Sequence, residues 1–394
     1  MTKQIVIVGH GHATQGALSQ ILKYKTNQKI SIISGEATSG YHKPPLSKEF
    51  LTTPTDKLNL YFRNNDFYEK NRINIISNTV IHNIDCNKKI LISDSGAEYP
   101  FDQLIIATGA KPKSIPITKI GSPTTLHLNS MHEALKLKEA ALKTKKLCII
   151  GGGFIGLETA CSLSRYIPDI TLIEKEDRIL KRTNHAEIAK ALHMNAALKG
   201  IKILTNESVN EIVNTQKQYL IKTGQHLIKV NLILEAAGST PNIEWLKESA
   251  IKINNGILVN SKCQTNIADI YAAGDCTEYV NPINGKPSMT TAVSHAHYQG
   301  RIAGRNLFKG EEELHDFPWF WSHQGDMHLQ MVGYPELADE SVITKKGSGQ
   351  LTITHFMGDQ LVGVESLNEP ITYAKAKKIL SSQKSVDKSL VDWL

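Results

Sequence analysis

The residues best suited to chemistry begin with three glycines, Gly151, Gly153 and Gly156, spaced Gly-x-Gly-x-x-Gly. An apolar run, Leu147-Cys148-Ile149-Ile150, enters this turn, and a helix-compatible segment, Leu157 to Ser164, leaves it. In such a turn the first glycine permits the tight bend and the second lets a pyrophosphate approach the backbone. The third lets helix and strand pack closely, and the helix N-terminus faces the phosphates. Ile170-Thr171-Leu172-Ile173 reads as the next strand and ends at Glu174. A carboxylate there accepts hydrogen bonds from a ribose 2′-hydroxyl and repels a 2′-phosphate. The chemistry implied is binding of a nicotinamide nucleotide, NADH in preference to NADPH.

A degraded copy of the pattern lies at the N-terminus. The strand Gln4-Ile5-Val6-Ile7-Val8 runs into Gly9-His10-Gly11-His12-Ala13-Thr14, with Thr14 where the third glycine would stand and Gly16 two residues on. Ile30 to Ile33 reads as the following strand, and Glu36 lies just beyond it. Two dinucleotide turns in one chain point to two dinucleotides, and the usual pair is a flavin and a nicotinamide. Two further apolar strands end in small-residue turns, Leu104 to Gly109 and Ile270 to Asp275. They support FAD in the first site, with Asp275 placed to bind a ribityl hydroxyl or a pyrophosphate-bound water. The expected FAD contacts are Gly9, Gly11, His12, Ala13, Glu36, Ala107, Thr108, Gly109, Gly274 and Asp275.

The elements that must position these residues are those of an α/β protein with two Rossmann-like folds. A length of 394 residues suits two or three domains. The sequence carries no apolar run of membrane-spanning length. The formal net charge of +7 comes from scattered lysines without a nucleic-acid module. It suggests a mildly basic face for an acidic protein partner rather than nucleic-acid binding. The five cysteines, Cys86, Cys148, Cys161, Cys263 and Cys276, show no C-x-x-C and no metal-ligand spacing. No metal site is expected. Met1-Thr2-Lys3 leads directly into the first strand, so a cytoplasmic protein with reduced thiols is expected.

The order of motifs resembles the FAD-dependent pyridine-nucleotide oxidoreductases of the glutathione-reductase fold. The resemblance implies a split FAD-binding domain, residues 1–112 and 243–315, with an NAD-binding domain, 113–242, inserted between its halves. A small α+β domain, 316–394, follows. Disulfide reductases of that fold keep a redox cysteine after the first nucleotide unit, but no cysteine occurs here before Cys86. Instead Lys43-Pro44-Pro45-Leu46-Ser47-Lys48 resembles the R-P-P-L-S-K loop of ferredoxin reductases from dioxygenase and cytochrome P450 systems. That likeness implies Lys48 as the cation near flavin N5 and O4, and Lys43 at the cofactor's phosphate or ribityl region.

Pro318 to Asp326 resembles the P-W-F-W-S-D-Q segment that opens the C-terminal domain of the same reductases. Trp321 then corresponds to the residue near the flavin at the partner-docking face, and His323 replaces the usual Asp. Val293 to Gln299 is similar to the family's V-Q-N-A-x-x-Q helix start, which aims backbone N–H groups at flavin N1 and O2; His295 and His297 read as structural. The resemblance also implies Ile155 and Glu158 beside the nicotinamide, Lys175, Arg182 and Gly238 near the adenosine ribose, and Val80 among the FAD contacts. Departures are Thr14 for glycine, Gly35 where an acid often stands and Asn129 where an arginine often contacts FAD.

The expected function is an NADH-dependent flavoprotein reductase that passes electrons through FAD to a small acidic iron–sulfur protein, a ferredoxin or rubredoxin supplying an oxygenase. Lys48, Glu158 and Trp321 are its expected catalytic residues. No nucleic acid and no membrane insertion are expected, and the chain acts as monomer or homodimer. The alternatives are an NADH oxidase or quinone-type reductase, and a nucleotide-binding protein like the apoptosis-inducing factors.

Overall fold

A computed structural model describes residues 3–24, 28–181, 185–308, 310–315, 317–347 and 349–382. It divides the chain into two compact units, which are described in turn.

The first unit comprises Met1–His42, Leu60–Lys111 and Thr240–Pro318. Its centre is a five-stranded parallel sheet in the order Ile270–Ala272, Gln103–Ile106, Gln4–Val8, Lys29–Ile33 and Ile73–Ile76. Ile5, Val6, Ile7 and Val8 are all buried. Such continuous apolar runs are what a parallel strand covered on both faces requires. The His12–Ile21 and Val293–Asn306 helices pack on each other through glycines. A Cβ on Gly300 would stand 1.9 Å from the Ala13 carbonyl oxygen, and one on Gly16 2.1 Å from that of His297. A three-stranded antiparallel sheet, Ile81–Asp85, Ile90–Ser93 and Glu98–Pro100, forms a meander in the same unit.

The second unit comprises Lys43–Asn59, Pro112–Ser239 and Trp319–Leu394. A four-stranded parallel sheet runs in the order Ile201–Leu204, Asp169–Ile173, Lys146–Ile150 and Leu232–Glu235. It repeats the first sheet down to the turns. Gly9 N–H donates to the Ile33 carbonyl and Gly151 N–H to that of Ile173, each at 2.8 Å. A Cβ on Gly9 would lie 2.1 Å from the Ala107 carbonyl oxygen, and one on Gly151 2.3 Å from that of Ala236. The same unit holds a five-stranded antiparallel sheet in the order Trp319–Gln324, Met327–Gly333, Gln360–Leu367, Gln350–Met357 and Glu340–Gly347, with a helix at Pro370–Ser381. Among the described residues no helix is long and apolar enough to cross a membrane.

The helix crossing in the first unit generates a stability test. Gly300→Ala puts a methyl group into the Ala13 backbone and should cost roughly 1–3 kcal/mol, as overpacking does. Gly224, whose added Cβ meets nothing within 4 Å, should tolerate alanine within about 0.5 kcal/mol. Thermal melting of the two variants beside the parent checks the contrast.

Candidate functional site

In the first unit the turn Gly9-His10-Gly11 delivers the chain into the His12–Ile21 helix. Gly11 is the N-cap, and no side chain caps the helix. Thr14, the residue in place of the third glycine, is fully buried and donates its hydroxyl to the Gly9 carbonyl at 2.7 Å. The departure therefore replaces close packing with a hydrogen bond across the same turn. His10, which sequence reasoning passed over, ties three segments together. Its Nδ1 accepts the Gly40 N–H at 3.0 Å, which leaves the proton on Nε2 to donate to the Tyr68 hydroxyl at 3.1 Å. Burial pushes the His10 imidazole down to about 4, so it is neutral at pH 7. Nothing local in the sequence marks this role, because Gly40 and Tyr68 lie far along the chain.

The other expected FAD contacts lie in this unit apart from Lys43, Lys48 and Trp321. Glu36 accepts the Tyr41 hydroxyl at 2.5 Å, and Thr108 donates to the Asn242 carbonyl at 2.8 Å. Val80 is exposed, and Ala13 and Ala107 are buried. Gly109 has φ +64 with open space where a Cβ would stand. Beside Asp275, Gly274 N–H donates to Gln299 Oε1 at 2.8 Å. Val293 opens its helix, which has no side-chain cap. His295 is buried, its imidazole pushed down to about 3 by desolvation, in keeping with a structural histidine.

In the second unit the full glycine pattern shows why its third position matters. A Cβ on Gly156 would lie 2.1 Å from the Gly151 carbonyl oxygen, whereas Gly153 faces open space. Glu174 accepts the Gly152 N–H at 2.7 Å on Oε2 and the Glu176 N–H at 3.0 Å on Oε1. The acid expected for a ribose also clamps the turn. Ile155 is 47% exposed at the start of the Phe154–Leu163 helix, next to Phe154, whose ring meets Phe320 at 4.5 Å. Lys175 reaches Glu176 at 3.8 Å, and Gly238, at φ +98, has open space on its Cβ side. Arg182 lies outside the described residues.

The same unit assembles the charged centre. Lys48 Nζ donates to Glu158 Oε2 at 2.7 Å and to the Pro44 carbonyl at 3.0 Å. The Lys48 side chain is 11% exposed and that of Glu158 is 5% exposed. Ser47 donates to the same Glu158 Oε2 at 2.5 Å, and Ser322 donates to Oε1 at 2.6 Å. An ammonium has three N–H groups, so one N–H of Lys48 remains unspent on protein among the described residues. Lys43, by contrast, donates to the Asn129 carbonyl at 2.9 Å. Trp321 is half-buried and stacks on Trp319 with centroids 5.4 Å apart, and Lys377 Nζ lies 3.6 Å over the Trp319 ring. His323 stands opposite His328 with rings 4.3 Å apart, and burial is the first cause lowering its basicity.

All five cysteines are free. Burial raises the thiols of Cys161 and Cys276 to about 11 and pushes those of Cys148 and Cys263 higher still. None is an activated thiol. Among the described residues no cluster of metal ligands occurs.

The two turns fit dinucleotides. The helices that follow them, and the one starting at Val293, have neither a side-chain cap nor an acid in the first turn. The Met131–Ala141 helix instead carries a capping box from Ser130, and the Ala186–Leu198 helix is capped by His185. Uncapped N–H groups next to glycines with open sides are what a pyrophosphate takes up.

A dinucleotide turn built twice, a part-buried lysine–glutamate pair and no reactive thiol define an oxidoreductase that handles two nucleotides. Residues 3–300 match the pyridine nucleotide-disulphide oxidoreductase family, and 319–392 match the reductase C-terminal family. The chain belongs to the pyridine nucleotide-disulphide oxidoreductases. It is 30% identical to rhodocoxin reductase of Rhodococcus erythropolis, over 96% of this chain and 90% of that one. It is 28% identical to rubredoxin-NAD(+) reductase of Pseudomonas putida, over 93% and 96%. A solved ferredoxin reductase from Rhodopseudomonas palustris superposes with a TM-score of 0.93 at 27% identity, covering 98% of this chain and 96% of that one. A water-forming NADH oxidase from Lactobacillus brevis, at 19% identity and a TM-score of 0.88 over 98% and 92% of the two chains, shares the fold.

The double task of Glu174 generates a prediction. The parent should prefer NADH by about tenfold in kcat/KM, ~1.4 kcal/mol. Glu174→Ala should narrow that gap and also raise KM for NADH, because the Gly152 N–H loses its acceptor. Glu174→Gln, which keeps one acceptor oxygen, should narrow the gap with a smaller rise. Steady-state kinetics with both nucleotides checks this, and equal kcat/KM in the parent would refute it.

Proposed function

We propose that the chain is an NADH-dependent flavoprotein reductase that supplies electrons to a small acidic iron–sulfur protein, a ferredoxin or rubredoxin, in an oxygenase system. The observation that carries this reading is the largely shielded Lys48, 11% exposed, with an unspent N–H and fixed by Glu158, in a chain without a reactive thiol. FAD, when bound, accepts a hydride from the nicotinamide and releases the electrons singly. The protein's part is positioning and electrostatics. The turn at Gly9 and Gly11, with His12 and Ala13 of the following helix, binds one pyrophosphate, and the turn at Gly151 and Gly153 binds the other. Glu36, Lys43, Val80, Ala107, Thr108, Gly109, Gly274 and Asp275 hold the rest of FAD, and Val293 presents its uncapped helix end to the ring. Glu174 orients the adenosine ribose of NADH, with Lys175, Arg182 and Gly238 beside it.

Lys48 offers a fixed positive charge and a donor where negative charge grows on the ring, which favours the reduced form. Glu158 holds that ammonium in place by an ion pair at 2.7 Å. Ile155 and Phe154 exclude water from the nicotinamide. No side chain serves as acid or base. Residues 1–112 and 243–315 act as the FAD domain, 113–242 as the NAD domain and 316–394 as the partner-facing domain. The protein works in the cytoplasm, as monomer or homodimer.

Without a redox cysteine before Cys86, bound FAD would pass its electrons to a docked partner rather than to a thiol of this chain. Trp321 is the docking aromatic, and the net charge of +7 attracts an acidic partner. Charge steering is screened beyond ~10 Å at 0.1 M salt. Added salt should therefore slow reduction of the iron–sulfur partner much more than single-turnover bleaching of FAD by NADH. Trp321→Ala should impair the first reaction and spare the second. Stopped-flow bleaching and a cytochrome c assay coupled through the cognate ferredoxin measure the two. Equal slowing of both by Trp321→Ala would end the docking role.

A further inference from the structure

Glu158 is held from two sides, and one of them belongs to the strand that carries Trp321. Oε2 takes Lys48 and Ser47, whereas Oε1 takes only the Ser322 hydroxyl, at 2.6 Å, among the bonds of the described residues. Ser322 is fully buried. It sits in the Trp319–Gln324 strand, between Trp321 and His323. Successive side chains of a strand point to opposite faces. Trp319, Trp321 and His323 thus share one face, the one on which Lys377 covers Trp319. Ser322 and Phe320 share the other, the one that meets Glu158 and Phe154. One strand presents aromatic rings on one side and grips the carboxylate on the other.

We infer that Ser322 is a positioning residue that fixes the orientation of Glu158, and through it the Lys48 ammonium, from the strand bearing Trp321; this rests on the reading of Lys48 and Glu158 given above. A buried carboxylate oxygen that loses its donor is left unsatisfied at a cost. With Ser322 removed, Glu158 turns to share its remaining donors and Lys48 loses its fixed direction. Ser47 is the built-in comparison: its oxygen acceptor, Oε2, keeps Lys48 when Ser47 is removed. The two serines are chemically alike and both are buried, yet only Ser322 is the sole partner of its oxygen among the described residues. A merely structural role would make them equivalent.

The test compares Ser322→Ala, Ser322→Thr and Ser47→Ala in the FAD-loaded protein. Ser322→Ala should lower the limiting rate of flavin bleaching by NADH about tenfold, with half-saturation by NADH changed less than twofold. Ser322→Thr, which restores a hydroxyl, should return the rate to within about threefold of the parent. Ser47→Ala should cost less than about threefold. A second readout needs no turnover: the infrared carboxylate band of Glu158, assigned by its loss in Glu158→Gln, should move in Ser322→Ala and return in Ser322→Thr. An unmoved band overturns the inference whatever the rates do. So does a Ser322→Ala rate equal to that of Ser47→Ala, or one that Ser322→Thr fails to restore while the melting temperature is normal. If the parent itself were not bleached by NADH, the functional reading would fall, while the band would still report whether Ser322 holds Glu158.

Discussion

A part-buried lysine paired with a buried glutamate constrains the segments around it. Removing two charges from water costs several kcal/mol per ion, and close geometry with full hydrogen bonding must offset it. Here the Lys48–Glu158 pair stands at 2.7 Å with Ser47, Ser322 and the Pro44 carbonyl as additional partners, which satisfies the carboxylate and two of the three lysine N–H groups. The Pro44–Ser47 turn, the Phe154–Leu163 helix and the Trp319–Gln324 strand must all arrive in register for the pair to exist. A fixed cation with one remaining donor is the result.

The two nucleotide turns show how one backbone solution tolerates different residues. In both, a glycine with φ above +100 passes the carbonyl of the neighbouring strand's last turn at a distance no side chain permits. At the third position the two copies part. Gly156 avoids the Gly151 carbonyl, whereas Thr14 reaches the Gly9 carbonyl with its hydroxyl. The requirement at that position is that the carbonyl be accommodated, and a small residue or a short donor does so. Gly16, two residues on, serves a different neighbour, the Val293–Asn306 helix.

What was legible in the sequence follows from how local the signal is. Strand, glycine turn, helix and acid fall within one short stretch, so both nucleotide folds could be read directly. The partnership of Lys48 with Glu158 spans 110 residues and that of Ser322 with Glu158 spans 164. Periodicity says nothing about such distances. Lys48 and Glu158 were each singled out through family likeness, but their contact was not. His10 was invisible because its partners, Gly40 and Tyr68, are brought to it only by the fold. Glu174 was read for its charge; its clamp on the Gly152 N–H is a backbone interaction that no residue pattern announces.

Whether Lys48 and Glu158 act as one unit is the central question, and a double-mutant cycle on single-turnover flavin bleaching answers it most directly. The variants are Lys48→Met, Glu158→Gln and the two combined, each loaded with FAD and mixed anaerobically with NADH. If the glutamate works by holding the lysine, each single variant should slow bleaching at least tenfold. The double variant should then be no slower than the slower single one. Multiplicative losses in the double variant would mean that the two side chains act independently, and the fixed-cation explanation of the site would be wrong.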